Sequence, residues 1–321
     1  MSQGFWKTLK KPIMALAPMA DVTDAAFRKL IAKYGKPDVM WTEFVSCDGL
    51  CSDQGRPMLM RALKYSSSER PIVAQIFGAN PENFYKCAKL LNKLKFDGID
   101  INMGCPDRKV EKQGGGAKLI LNPELAQEII RQTKRGAGNL PVSVKTRIGY
   151  NKRNIEEWIK ALVEVEPAVI TVHARTRKEM SKVPADWQAI AEVVKIVRGS
   201  GKDILIIGNG DVKDLADAKL RVKESGADGV MIGRGIFGNP WLFNKRKRRV
   251  SLMEKLQVLV EHARLFERIL KGANFEIMKK HFKAYVTGFE GAAELRAQLM
   301  QAHKASEVVK ILKQNYPKTR F

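Results

Sequence analysis

Short apolar runs, rich in β-branched residues, recur along the first three quarters of the chain. They begin at Ile13, Val39, Ile72, Ile99, Val142, Val169, Ile204 and Val230, with successive starts 26 to 43 residues apart. Each interval has room for one strand, one helix and two short loops. The runs show little overall alternation of polar and apolar residues, as expected of parallel strands covered on both faces. Eight such units predict an α/β fold, a (β/α)8 TIM barrel. A doubly wound open sheet is the alternative. It would gather its polar site residues at one switch point, whereas a barrel distributes them over the ends of all its strands. Between the runs, Asn80-Pro81 and Asn122-Pro123 each supply a cap followed by proline at the first helical position, and Leu90, Leu91 and Leu94 mark an apolar helical face.

The pattern changes after Trp241. The basic cluster 245–249 is followed by Ser251-Leu-Met-Glu254, a capping box opening a helix with Leu252, Leu256, Leu259, Ala263, Phe266 and Leu270 on one stripe. Further helical segments are predicted near 275–287, 291–301 and 306–315. The expected organisation is therefore a barrel domain over 1–242 and a small C-terminal helical bundle domain over 243–321.

With 45% hydrophobic and 28% charged residues, the 321-residue chain has the composition of a globular protein, which excludes disordered and collagen-like classes. Its formal net charge of +23 points to a polyanionic partner, nucleic acid first. Residues 241–321 alone carry 18 Lys and Arg against 7 Asp and Glu. Four dispersed cysteines suit a reducing compartment, so a cytoplasmic location is expected. No apolar run reaches the roughly 18 residues of a membrane-spanning helix. Lys7, Lys10 and Lys11 before Ile13–Ala20 loosely imitate a secretory signal, but two prolines and the adjacent Asp21 favour a buried strand leading into a helix.

Two glycine turns, Gly208-Asn209-Gly210-Asp211 and Gly233-Arg234-Gly235, close the seventh and eighth runs. In barrels these loops commonly bind phosphate, because glycine lets backbone N–H groups approach the oxygens and Arg234 adds a forked donor. Met19, Glu43, Gln75, Asn102, Lys145 and His173 fall at or just beyond the ends of the first six runs. A Lys and a His facing a phosphate cofactor can stabilise negative charge on a reduced flavin or an enolate. Cys105, followed by the glycine-rich 113–116, is a candidate acid or nucleophile: an ordinary thiol, with a pKa of roughly 8.5, is mostly protonated at neutral pH. Cys47 and Cys51 lack a second pair of ligands at zinc-like spacing, so no metal is expected.

Several stretches occur together and in order: Ala15-Leu-Ala-Pro-Met-Ala-Asp-Val-Thr-Asp24, Asn102-Met-Gly-Cys-Pro106, Val144-Lys-Thr-Arg-Ile-Gly149, His173-Ala-Arg-Thr176 and Ile232-Gly-Arg-Gly235. With Lys280-His-Phe-Lys-Ala-Tyr285, Gly288 and Leu295-Arg296, the chain resembles the tRNA-dihydrouridine synthases over nearly its whole length. The resemblance implies an FMN enzyme that uses NADPH to reduce the C5=C6 bond of particular uridines in tRNA. It makes Cys105 the proton donor. It assigns Pro18, Met19, Gln75, Lys145, His173, Asn209, Gly210, Gly233 and Arg234 to FMN and Asn102 to the target uracil, with Arg175 and Arg177 as substrate-side cations. The C-terminal bundle would bind tRNA, and no obligate protein partner is evident. One departure concerns the loop after His173: many members carry a Gln and an aromatic residue where this chain has Glu179 and Ser181. Two other readings remain open. One is a flavin reductase of small molecules on the same barrel; the other is a non-catalytic RNA-binding protein.

Overall fold

A computed structural model describes residues 3–246 and 249–321; Lys247 and Arg248 of the expected basic cluster lie outside the described residues. Nine parallel strands form one sheet: β1 (Ile13–Leu16), β2 (Met40–Trp41), β3 (Val45–Ser46), β4 (Ile72–Phe77), β5 (Gly98–Met103), β6 (Val142–Arg147), β7 (Val169–His173), β8 (Leu205–Asn209) and β9 (Gly229–Ile232). β2 and β3 both pair with β4, each strand from β4 to β9 pairs with the next in sequence, and β9 pairs with β1 in the register Ile13↔Gly229 to Leu16↔Ile232. A parallel bridge between Ala15 and Val39, backed by the bond from the Leu16 N–H to the Val39 carbonyl (3.1 Å), brings the two ends of the sheet together. The eight predicted units are thus present as a barrel, and the open sheet is excluded.

The second unit is split. The sequence predicts one strand from Val39, but pairing with β4 is interrupted between Trp41 and Val45. The Thr42 hydroxyl accepts the Gln75 N–H at 3.1 Å in place of a backbone carbonyl, releasing the chain to turn outward at Glu43. Helices cover the outside: α1 (Ala25–Tyr34), α2 (Cys47–Cys51), α3 (Arg56–Ala62), α4 (Pro81–Lys93), α5 (Arg108–Lys112), α6 (Pro123–Ala137), α7 (Ile155–Glu164), α8 (Trp187–Gly199) and α9 (Leu215–Ser225). The caps are those the sequence suggested, with the Asn80 and Asn122 side chains accepting the first N–H groups of α4 and α6.

Side-chain alternation along each strand divides two cores. Met14, Leu16, Ile99, Ile101, Val142 and Val144 face the helices. Ile13, Ala15, Val73, Val169, Leu205, Ile207 and Met231 fill the barrel, whose lower end is plugged by Trp6 against Trp41 at 5.8 Å. One step further up, the inward positions become polar, which sets the level of the site.

After the barrel come α10 (Leu252–Ile269), α11 (Met278–Tyr285), α12 (Ala292–Leu299) and α13 (Ala305–Asn315). The predicted Ser251–Glu254 capping box opens α10. Of the predicted stripe, Leu256, Leu259, Ala263, Phe266 and Leu270 are buried, whereas Leu252 in the first turn is only half-buried. α10 lies against α1, and the buried residues of the C-terminal helices run without a break into the core outside the barrel.

Candidate active site

The strand alternation that buries Val73, Ile99 and Val142 also directs Gln75, Asp100, Asn102, Lys145, Arg147, His173 and Asn209 toward the barrel axis or its upper rim. A cavity of about 260 Å³ opens among the ends of β1, β6, β7, β8 and β9. It is lined by Pro18, Met19, Lys145, His173, Arg175, Asn209, Gly210, Gly233 and Arg234, nine of the thirteen residues that the family resemblance assigns to the site. Arg147, Ser181 and Asp211 line it too, and the sequence reading had assigned no site role to Arg147 or Asp211. Their signal was present: Arg147 is two residues beyond Lys145, on the same face of β6.

The cavity is strongly cationic. Lys145, Arg147, Arg175 and Arg234 face it with Asp211 as the single lining carboxylate. Asp211 binds both Arg175 and Arg234, the latter at 2.8 Å. Lys145 Nζ donates to Asn209 Oδ1 at 3.2 Å, while Asn209 Nδ2 donates to the Met231 carbonyl at 2.8 Å, fixing the amide so that its oxygen meets the lysine. Burial, reinforced by Arg147, lowers the Lys145 pKa to about 8. Burial and the same cations push the His173 pKa well below its usual value, so its ring is neutral at pH 7. The ring then accepts from Arg175 Nη1 at 3.2 Å.

Glycine keeps this space open. Gly210 has φ +132°, and a Cβ there would lie 2.8 Å from the Ala185 Cβ and 3.2 Å from His173. At Gly233 a side chain would meet no backbone but would project toward Met19 and Ala17, into the cavity. Four cations against one carboxylate, with glycines clearing the wall, fit an anionic ligand such as the phosphate-bearing end of FMN.

Gln75, Asn102, Cys105 and Arg177 stand outside the lining. Three of them form a chain of bonds. Asp100 accepts from Ser143 Oγ at 2.5 Å and from Gln75 Nε2 at 2.6 Å; the Gln75 oxygen accepts from Asn102 Nδ2 at 3.1 Å. Asn102 Oδ1 in turn accepts the N–H groups of Gly104 (3.1 Å) and Cys105 (2.9 Å). The two amides expected to contact cofactor and base thus hold the backbone of the cysteine loop. Arg147 steadies that loop from the cavity side, donating to the Gly104 carbonyl at 2.7 Å. Cys105 itself is half-buried, and burial raises its thiol pKa.

The two arginines expected on the substrate side are engaged within the protein. Arg175 is buried and donates to the Val183 carbonyl at 2.6 Å in addition to Asp211 and His173. Arg177 pairs with Glu111, with Nε at 2.9 Å from Oε1, and so ties its loop to the one carrying Cys105. The variant positions after His173 separate: Glu179 turns inward to accept the Thr176 N–H at 2.7 Å, while Ser181 is exposed on the cavity wall. Glu43, expected on the rim, accepts the Asp21 N–H at 2.6 Å and lies outside the cavity lining.

A closed parallel barrel whose strand ends surround a cationic cavity, beside a loop thiol kept protonated, places the chain in the class of (β/α)8-barrel enzymes. The family model described as dihydrouridine synthase matches residues 15–320, so the chain belongs to the dihydrouridine synthase family. It is 42% identical to a probable tRNA-dihydrouridine synthase of Staphylococcus aureus (strain MRSA252), covering 97% of this chain and 95% of that one. It is 41% identical to a probable tRNA-dihydrouridine synthase 2 of Bacillus subtilis (strain 168), covering 97% and 96%. Among solved structures, 2-naphthoyl-CoA reductase superposes with a TM-score of 0.56 at 12% identity, over 72% of this chain and 49% of that one, a likeness of fold alone.

Proposed function

We propose that the protein is a tRNA-dihydrouridine synthase that binds FMN at the barrel mouth, takes reducing equivalents from NADPH and reduces the C5=C6 bond of uridine in tRNA. FMN held there would supply hydride chemistry for C6 of the uracil, the far end of the C5=C6 bond conjugated to the C4 carbonyl. The cationic wall formed by Lys145, Arg147, Arg175 and Arg234 holds the anionic ligand. Pro18, Met19, Gln75, His173, Asn209, Gly210 and Gly233 complete its site, and Lys145 offsets the negative charge that reduction adds.

Cys105 gives its Sγ proton to C5 of the uracil and recovers one from solvent. Its raised pKa suits it to act as an acid rather than a nucleophile. Gln75 and Asn102 set the height of its loop, and the Nδ2 group of Asn102 keeps a second hydrogen for the uracil. Arg175 positions His173 and Asp211, and Arg177 braces the Cys105 loop through Glu111. A uracil stacked within folded RNA cannot reach a barrel mouth, so the target base leaves its stack to enter.

Residues 243–321 form the tRNA-binding part, using their excess of Lys and Arg to hold the phosphate backbone. Among the described residues no helix is long and apolar enough to cross a membrane, and all four cysteines are unpaired, which suits a cytoplasmic enzyme.

The observation that carries this reading is the cationic, glycine-cleared cavity beside a protonated loop thiol. Purified protein is expected to carry FMN or take it up stoichiometrically; failure to bind FMN would contradict the reading. Cys105→Ala should leave reduction by NADPH unchanged and slow dihydrouridine formation by about 10²-fold or more, the usual worth of a positioned acid. Equal rates of dihydrouridine formation in both proteins would remove Cys105 from the reaction.

A further inference from the structure

We propose that Asp24, His262 and His281 form a structural site for a divalent metal ion, zinc, that joins the first helix of the barrel to the C-terminal helices. One ligand atom from each of the three lies within 4.8 Å of the others. Asp24 caps α1, His262 lies on α10 and His281 on α11, so the site spans three elements from opposite ends of the chain.

The box around them is walled by aromatic rings. Phe27 stacks on His262 at 4.9 Å and packs against His281 at 4.7 Å; the two imidazoles meet edge to face at 4.4 Å. All three ligand residues are buried. Among the described residues, eight buried side-chain nitrogen and oxygen atoms lack a hydrogen-bond partner. Five of them are here, Asp24 Oδ2 and both nitrogens of His262 and of His281, and a sixth is the hydroxyl of Tyr285, whose ring sits edge-on to His262. The other carboxylate oxygen of Asp24 is occupied, accepting the N–H groups of Ala26 (2.8 Å) and Phe27 (3.0 Å), which aims the free oxygen away from its own helix.

Each unpaired buried polar group costs about 1–3 kcal/mol, so such a concentration is not expected without an occupant. Two imidazole nitrogens and a carboxylate oxygen are a donor set that zinc accepts at about 2.0–2.2 Å, with a fourth position left for water. A cation satisfies all three lone pairs at once, whereas one water has only two protons to offer them. The Asp24 charge, with the Glu43 carboxylate close enough to feel it, balances the ion. The ion would fix the angle between the barrel and the basic helices without taking part in chemistry at the mouth.

The test is metal analysis of the full-length, untagged, flavin-loaded protein. Mass spectrometry should find about one zinc per chain after gel filtration. Replacement by cobalt should give the visible d–d absorption of a four-coordinate N/O site, to the red of the flavin bands. His262→Gln and His281→Gln should each lower the zinc content at least tenfold, and a chelator should lower the melting temperature of the parent protein but not of these variants. Should the variants fail to fold, the stoichiometry and cobalt spectrum of the parent protein decide. Parent protein that holds no zinc and takes up neither ion at one equivalent would show that the box holds water and overturn the proposal. Folded variants with undiminished zinc would overturn it as well.

Discussion

Lys145 shows how much a single position can contribute. Its place on the inward face of β6 removes it from water, and Arg147, two residues on, repels its charge, so its pKa falls to about 8. An anionic ligand reverses that shift, because it favours the charged ammonium. The sign follows: above pH 8 the free protein has lost the Lys145 proton, the complex regains it, and binding takes up a proton. The dissociation constant of FMN should therefore rise with pH above 8, by up to about tenfold per pH unit. Lys145→Met should weaken binding at pH 7 by about tenfold or more and flatten the profile, as measured by fluorescence titration. A parent profile flat from pH 7 to 10 would remove Lys145 from the ligand site. At this scale the sequence was informative where a polar residue ended an apolar run, which is how Lys145 and His173 were found, and where glycines closed a strand, which is how Asn209 was found. It was silent on partners remote in the chain. That Arg177 pairs with Glu111, and that Asn102 turns to Gln75 and its own loop, depends on packing that spacing alone does not reveal.

At the scale of elements, α1 is joined to its surroundings by a buried ion pair as well as by its apolar face. Arg28 of α1 is buried and donates to Glu69 (2.8 Å) and to the carbonyls of Thr23 (2.6 Å) and Lys64 (2.6 Å). Removing it leaves Glu69, itself buried, without a counterion. Arg28→Met should cost about 3–5 kcal/mol of stability in chemical denaturation. The double variant with Glu69→Leu should recover part of that loss, since the orphaned charge is gone. A loss below about 1 kcal/mol in the single variant would mean that water reaches the pair. Strand and helix positions were largely legible because buried parallel strands are continuous apolar runs and because Asn-Pro and Ser-x-x-Glu caps are local signals. The break at Glu43 was not, since it depends on a Thr42 hydroxyl replacing a carbonyl in the ladder. Nor was the meeting of Asp24 with His262 and His281, more than 200 residues away.

On the scale of the whole molecule, net charge and fold together select the substrate in the proposed function. A barrel mouth confines the chemistry to one cationic cavity, and the basic excess of the C-terminal quarter offers binding energy to a polyanion rather than to a small metabolite. Charge was readable from composition; the packing of α10 on α1, which sets how those helices stand relative to the mouth, was not. The most direct measurement is anaerobic mixing of NADPH-reduced, flavin-loaded protein with unmodified tRNA, following flavin reoxidation together with dihydrouridine by mass spectrometry. The account predicts rapid reoxidation with one dihydrouridine per flavin, and at limiting tRNA a rate that falls steeply as salt rises from about 50 to 200 mM. Reoxidation no faster with tRNA than without it, or equally fast with free uridine, would contradict it.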